Sequence, residues 1–428
     1  MQHVKPTNLP NDALNIVQPW ADRFDGQIAE LESKLVDVRR HIHAHPEPSG
    51  EETETSRFLA RQLNEAGLSA AVCRDGIGVV ADTQLGPVDD STPLIAIRAD
   101  IDALRMSDDK TVDYKSQNEG VNHACGHDAH STMTLGVALA AAALTSQPSG
   151  EQQQLPYRLR FLFQPAEETS MGAKSMVAQN VLEGVDGILA LHVDPEKPVG
   201  QVGIRYGVLT ANCDDVSITI EGHGGHGARP HHTIDPVAAA VQMVNALYKF
   251  LPRSVDSRNP SVFTIGQING GYAPNVIPAR VELRGSLRTT DENSRETLKR
   301  RVQEIADGIE TISGATIHFD FSNPLKSVDN HPLATAALEA ASRSILGTDN
   351  IVVIDRPSMG GEDFSAYLEH VPGALLRLGC APPDAEDTPF LHSPVFDVDE
   401  RCLALGSRIL IRAALLFSVG LRQEVVED

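Results

Sequence analysis

The chain has 428 residues, 41% hydrophobic and 22% charged, with a formal charge of −22 at neutral pH. That length exceeds one ordinary domain and points to two, while the acidic balance argues against a nucleic acid or an anionic membrane as partner, since both attract basic patches. No run approaches the roughly 18 unbroken apolar residues of a membrane span, and MQHVKPTNLPNDALN at the start lacks the apolar stretch of a secretory signal, so a cytoplasmic protein is expected.

Residues 26–45, GQIAELESKLVDVRRHIHAH, carry apolar residues at helical spacing, and HPEPSGEE after them reads as a loop punctuated by Pro and Gly. ETSRFLARQLNEAGL continues as a helix, PLIAIRAD as a short buried strand, STMTLGVALAAAALTS as a buried helix, YRLRFLFQ as a strand, and GVDGILALHV as a helix end leading into a strand. This alternation predicts an α/β domain whose mostly parallel sheet is flanked by helices. From about residue 209 the texture changes. DDVSITIEG, SVFTIGQI and RVELRGSLRT alternate at period two, ATIHFDFS closes the set, and DPVAAAVQMVNALYKFL and ENSRETLKRRVQEIADGIETI between them are helical. Two helices on a four-stranded sheet make a smaller α+β insert. Helical patterns PLATAALEAASRSIL and LALGSRILIRAALLFSVGLR then resume the first texture. The expected organisation is a large domain, 1–208 plus 324–428, interrupted by an insert at 209–323.

Five cysteines, at 73, 125, 213, 380 and 402, are odd in number and scattered, which suits reduced thiols. Cys125 stands apart because of its company in HACGHDAH, residues 123–130. Cys and His are the donors that borderline metals such as zinc prefer. Other polar groups gather at the ends of predicted strands, where open α/β sheets form their sites. Asp100 and Asp102 follow IAIR, Glu167 and Glu168 follow RFLFQP, and His192 ends ILALH; His392 lies in PFLHSPVF. Cys125, His127, Glu168, His192 and His392 are five potential ligands, enough for two metal ions sharing a bridging water. Glu167, beside a ligand, suits the general base. His226 lies in EGHGGHGARPHH, where glycines leave the backbone close to whatever binds there. Each piece alone has a plainer reading. His192 could be a satisfied structural histidine, the Glu167–Glu168 pair a helix cap, Asp100 and Asp102 loop or capping residues, His226 a turn residue, and HACGHDAH a structural zinc site.

RRHIHAHPEPSGEE, RADIDAL, HACGHDAHSTM, FQPAEE, LHV, GGHGARPHHTIDPV, NVIPARVELRGSLRT, MGGEDFS and LHSPVF occur in this order. Together they resemble the aminoacylase/carboxypeptidase family of dinuclear metallopeptidases. More narrowly, they look like its amidohydrolase branch, which includes hippurate, auxin-conjugate and aminobenzoyl-glutamate hydrolases. The resemblance spans about 39 to 396. It implies metal ligands at Cys125, His127, Glu168, His192 and His392, with two divalent ions, zinc or manganese, per subunit. It implies Glu167 as base and proton shuttle, and Asp102 as the group that orients a ligand. It also implies that the insert is a lid and dimerisation domain whose His226 reaches a catalytic site, often that of the partner in a homodimer. Asn275 and Arg288 match residues that hold the substrate carboxylate. The implied reaction is hydrolysis of an N-acyl amino acid, or a similar carboxylate-bearing amide, to acid plus amine. Arg105 stands where the family commonly has Pro, and the first 25 or so residues extend beyond its usual start. Competing readings are a dipeptidase or aminopeptidase of the same family, in which Asp more often takes the place of Cys125, a non-catalytic metal-binding relative, and a structural zinc protein.

Overall fold

Alternating apolar stretches and turn signals resolve, in a computed structural model, over residues 9–427 apart from 90, 147–155 and 386, with side chains described as far as 423. The chain divides into two units. One runs to Gly207 and resumes over Val328–Asp355 and from Asp363; the other is Val208–Ser327 with Arg356–Glu362. The segment 356–362, assigned to the large domain by the sequence reading, groups with the second unit because its backbone bonds there. Ala211 donates to the Gly360 carbonyl at 3.1 Å and Ser358 to that of Leu209 at 2.9 Å.

In the first unit, eight strands form one sheet in the spatial order Ala70–Val72, Val79–Leu85, Tyr157–Gln164, Leu94–Asp100, Gly187–Pro198, Gly373–Ala381, Val202–Ile204, Ile351–Val353. The four from Tyr157–Gln164 to Gly373–Ala381 pair in parallel, and Val79–Leu85 pairs antiparallel at one side of them. Helices cover parallel strands on both faces, so LIAIRAD and GALLRLGCA are apolar almost throughout instead of alternating. Gly373–Ala381 is absent from the sequence reading, yet it lies beside Gly187–Pro198 at the centre of the sheet. Register pairs Arg98 with Ala190 and Asp100 with Gln164. Asp100, Gln164 and His192 therefore reach the same sheet edge together.

Helices Ala13–Ala44, His127–Thr145 and Arg401–Glu427 pack on one another. The first begins well before residue 26, because Ala13, Val17, Trp20, Phe24 and Ile28 recur every three or four residues and are all buried. The N-terminal extension thus supplies core. By length and composition Arg401–Gln423 could cross a membrane, but 83% of its most apolar window is buried inside the unit, as in a core helix.

The second unit is a four-stranded antiparallel sheet, in the order Ser261–Gly270, Arg280–Thr289, Asn212–Glu221, Thr316–Leu325, with helices Pro236–Phe250 and Glu292–Ser313. These are the two helices and four strands that period-two alternation predicts. Their starts are legible too. Asp235 accepts the amides of Val237 and Ala238 ahead of Pro236 in the first turn, and Asp291 accepts that of Ser294.

Candidate metal centre

Helix His127–Thr145 begins directly behind Cys125. Gly126, at φ +85°, turns the chain between them, and a Cβ there would lie 2.4 Å from a Val193 methyl. Only glycine fits. Cys125 and His127 thereby enter a cluster with His192 at the sheet edge, and all three are buried. Cys125 also belongs to a second cluster with Glu168 and His392, and His127 to a third with Glu167 and Glu168; in each, donor atoms lie within 4.8 Å of one another. The structure thus brings all five predicted ligands and the predicted base together in the first unit, with Cys125 common to two ligand groups.

The tautomers follow from the hydrogen bonds. His192 Nδ1 lies 2.8 Å from the Val193 carbonyl and must donate to it, which leaves the Nε2 lone pair facing Cys125 Sγ at 3.5 Å. Burial, reinforced by Arg377, pushes His192 well below its ordinary value, so the ring is neutral as a ligand must be. His127 Nδ1 donates to the carboxylate and carbonyl of Asp102, both at 3.0 Å. Its Nε2 is buried, 3.8 Å from Asp100 and 3.9 Å from Glu168, with no hydrogen-bond partner among the described residues. Burial opposes charge on this ring, yet Asp100 and Cys125 outweigh it and raise His127 well above its ordinary value. The surroundings favour a positive charge at Nε2. Burial pushes the Cys125 thiol up, and Glu168 adds to this; a nearby cation is what would convert it to thiolate. Orphaned imidazole nitrogen, buried thiol and adjoining carboxylates make a donor set that fits divalent cations.

His392 joins from a different direction. Its backbone sits at φ +64°, its amide donates to the Ala124 carbonyl at 2.8 Å, and its Nε2 lies 3.3 Å from Glu168 Oε1. Left-handed backbone outside glycine is costly and tends to collect at functional sites. Ala166 and Ser170, on either side of Glu167 and Glu168, are left-handed as well, at φ +53° and +57°. Asp102 accepts from Ser49 Oγ at 2.7 Å and from the Glu168 amide at 3.0 Å, besides holding His127. It orients one predicted ligand by its ring and another by its backbone.

His226, Asn275 and Arg288 belong to the second unit. There His226 pairs with Val276 across a short antiparallel bridge, and Gly227 donates to the Asn275 carbonyl at 2.8 Å. Glycines around it are packed closely against neighbouring backbone. A Cβ at Gly222 would lie 2.2 Å from the Ile234 carbonyl oxygen, and one at Gly224 2.6 Å from that of Ile277. His226 and Asn275 are exposed. Arg288 is half-buried, directs Nη1 to the Met359 carbonyl at 2.8 Å and lies opposite Cys213 on the next strand.

The model for peptidase family M20/M25/M40 matches residues 96–416. The chain belongs to that family. An N-acetyl-L-cysteine deacetylase of Bacillus subtilis is 35% identical over 388 residues, 90% of this chain and 89% of that one. An IAA-amino acid hydrolase of Arabidopsis thaliana is 34% identical over 392 residues, 91% of this chain and 86% of that one. A Bacillus subtilis crystal structure described as a dinuclear metal binding peptidase from the M20 family is similar at a TM-score of 0.77 and 31% identity, over 91% of this chain and 99% of that one.

Around this M20 site the sequence reading did not single out Arg98, Gln164 or Asp363, which hold the ligands' neighbours. Arg98, wholly buried, binds Asp100 at 2.7 Å, Asp363 at 3.0 Å and Gln164 at 2.7 Å. Asp363 also accepts the Ala173 amide at 3.0 Å. Asp100 reaches His130 Nδ1 at 2.6 Å, and His130 Nε2 accepts the Val193 amide at 2.9 Å. Within HACGHDAH, Asp128 takes Arg39 at 2.8 Å and His43 at 2.6 Å, while burial pushes His123 down to about 3. Neither ring nitrogen of His123 has a hydrogen-bond partner among the described residues. Arg105, the departure from the family's Pro, is exposed and pairs with Glu51. Position in RADIDAL and MGGEDFS was the available signal for Arg98 and Asp363; their contacts exist only after folding.

Proposed function

We propose that the protein is a metal-dependent amidohydrolase that cleaves N-acyl amino acids, or similar carboxylate-bearing amides, to acid plus amino acid. The observation that carries this reading is Cys125, a buried thiol common to two ligand groups, one with His127 and His192 and the other with Glu168 and His392. These five residues would hold two divalent ions, zinc or manganese, which when bound supply Lewis acidity to a water and to the amide carbonyl. Glu167 takes the proton from the attacking water and returns it to the leaving amine. Asp102 keeps His127 in the tautomer whose Nε2 is free to ligate. His226 is assigned to the developing oxyanion, and Asn275 and Arg288 to the substrate carboxylate, for which a guanidinium fork is apt.

A homodimer through the second unit belongs to this reading. Val237, Val241 and Tyr248 on helix Pro236–Phe250, with Val262 and Ile268 on the edge strand Ser261–Gly270, are exposed apolar residues. All five cysteines are unpaired, which fits a reducing, cytoplasmic setting.

The test is turnover of N-acetyl, benzoyl, indole-acetyl and aminobenzoyl amino acids, with zinc and with manganese, against free dipeptides. Hydrolysis of the N-acyl compounds is expected, and preference for dipeptides would make this a peptidase. Arg288→Ala is expected to raise KM for the acids about 10- to 100-fold, the worth of a charge-assisted hydrogen bond, while leaving methyl esters nearly unchanged. An equal effect on acids and esters would remove Arg288 from carboxylate binding.

A further inference from the structure

The loop HPEPSGEE carries a carboxylate that none of the roles above uses. Glu52 is buried at 0% exposure. Its Oε1 accepts the amides of Gly50 at 3.0 Å and Ala166 at 2.7 Å, and its Oε2 has no hydrogen-bond partner among the described residues. Burying a carboxylate with one oxygen unmatched is unfavourable, and burial pushes this group up to about 7.

What Glu52 holds is informative. Ala166 immediately precedes Glu167 and sits at φ +53°, a region that L-residues avoid. On the other side of Glu167, the Glu168 amide is held by Asp102 at 3.0 Å. The amides of residues 166 and 168 are thus each fixed by a buried carboxylate from a separate part of the chain. Glu52 is itself fixed. It precedes helix Thr53–Glu65, and the Glu47 carboxylate caps that helix by accepting the amides of Glu54 at 3.1 Å and Thr55 at 2.7 Å. The same loop sends Ser49 to Asp102. Between these two grips the Glu167 carboxylate stays within 4.8 Å of His127 and Glu168.

We propose that Glu52 is a positioning residue for Glu167, its carboxyl oxygen locking the Ala166 peptide in the left-handed turn that directs Glu167 toward His127 and Glu168. The inference rests on Glu167 being the base. Accepting from an amide requires a lone pair and not a charge, so a carboxamide can replace the carboxyl. Leucine has similar size and no acceptor, and leaves the Ala166 amide buried and unmatched.

The experiment measures kcat, KM and bound metal for full-length Glu52→Gln and Glu52→Leu on an N-acyl amino acid that the wild type hydrolyses. Glu52→Gln is expected to keep kcat within about threefold. Glu52→Leu is expected to lose about 10- to 100-fold in kcat, the scale of a misplaced catalytic group, at unchanged KM and metal content. A purely structural role would lower folded protein and metal together and would not separate kcat from KM. Native kcat in Glu52→Leu, a loss that merely follows lost metal, or a Gln variant as impaired as the Leu variant overturns the proposal. Should Glu52→Leu fail to fold, Glu52→Asp replaces it. One methylene short of the Ala166 amide, it is expected to lose kcat at native KM, and native kcat again overturns the role. A wild type inactive on every N-acyl amino acid brings down the proposed function and this inference with it. An active wild type with indistinguishable variants brings down only the role of Glu52.

Discussion

Replacing Glu167 by Gln lowers kcat by about 100- to 10,000-fold, the usual contribution of a positioned proton carrier, while metal content and KM stay near native. The substitution keeps the side chain's shape and an oxygen able to accept the Asp363 amide, which lies 3.4 Å from Glu167 Oε1. What it removes is the capacity to take and return a proton. Glu167 is half-buried and adjoins His127 and Glu168 without belonging to either group that Cys125 shares. Loss of the proton carrier should therefore leave the metal donors intact. Metal analysis beside steady-state kinetics checks the claim. A Gln variant with full metal and near-native turnover would move the base elsewhere, and one depleted of metal would make Glu167 a ligand.

The candidate ligands were legible because each is a chemically distinctive residue, and Glu168 comes just after a strand that parallel pairing delivers to the same edge as Asp100. His192 lies within, and the Glu167–Glu168 pair follows, the strands that flank Leu94–Asp100 on its two sides. The insert was legible for a different reason. Its strands expose one face, so they alternate, whereas LIAIRAD, buried on both faces, does not. Gly373–Ala381 escaped notice because an apolar run of that length fits a helix segment equally well. The segment 356–362 was misassigned because its backbone bonds to Leu209 and Ala211, far away in sequence. The same limit hid Glu52 and Asp363. Each accepts a backbone amide, of Ala166 or Ala173, which leaves no mark in a sequence, and the Arg98 and Gln164 partners of Asp363 are 265 and 199 residues away. The glycines near His226 pack closely against backbone, and in a sequence that role looks the same as leaving room for a ligand.

Cys125 is where the second large effect is expected. Among the five proposed ligands it alone belongs both to the group with His127 and His192 and to that with Glu168 and His392. Removing the thiol should weaken both metal positions at once, whereas loss of His192 or His392 should weaken chiefly one. Changing a group that merely orients a ligand typically costs 10- to 100-fold in metal affinity or activity, so Cys125→Ala is expected to cost at least about 100-fold in activity, with metal content falling well below that of the native protein. Cys125→Asp separates shared ligation from thiol chemistry. A carboxylate can bridge two cations as a thiolate can, but it is the harder donor and suits manganese better than zinc. The Asp variant should therefore regain metal and part of the activity, with its preference moved toward manganese. Competitive metal titration of the two variants and the native protein reads this directly. Two retained metals and native turnover in Cys125→Ala would leave the thiol outside the metal centre.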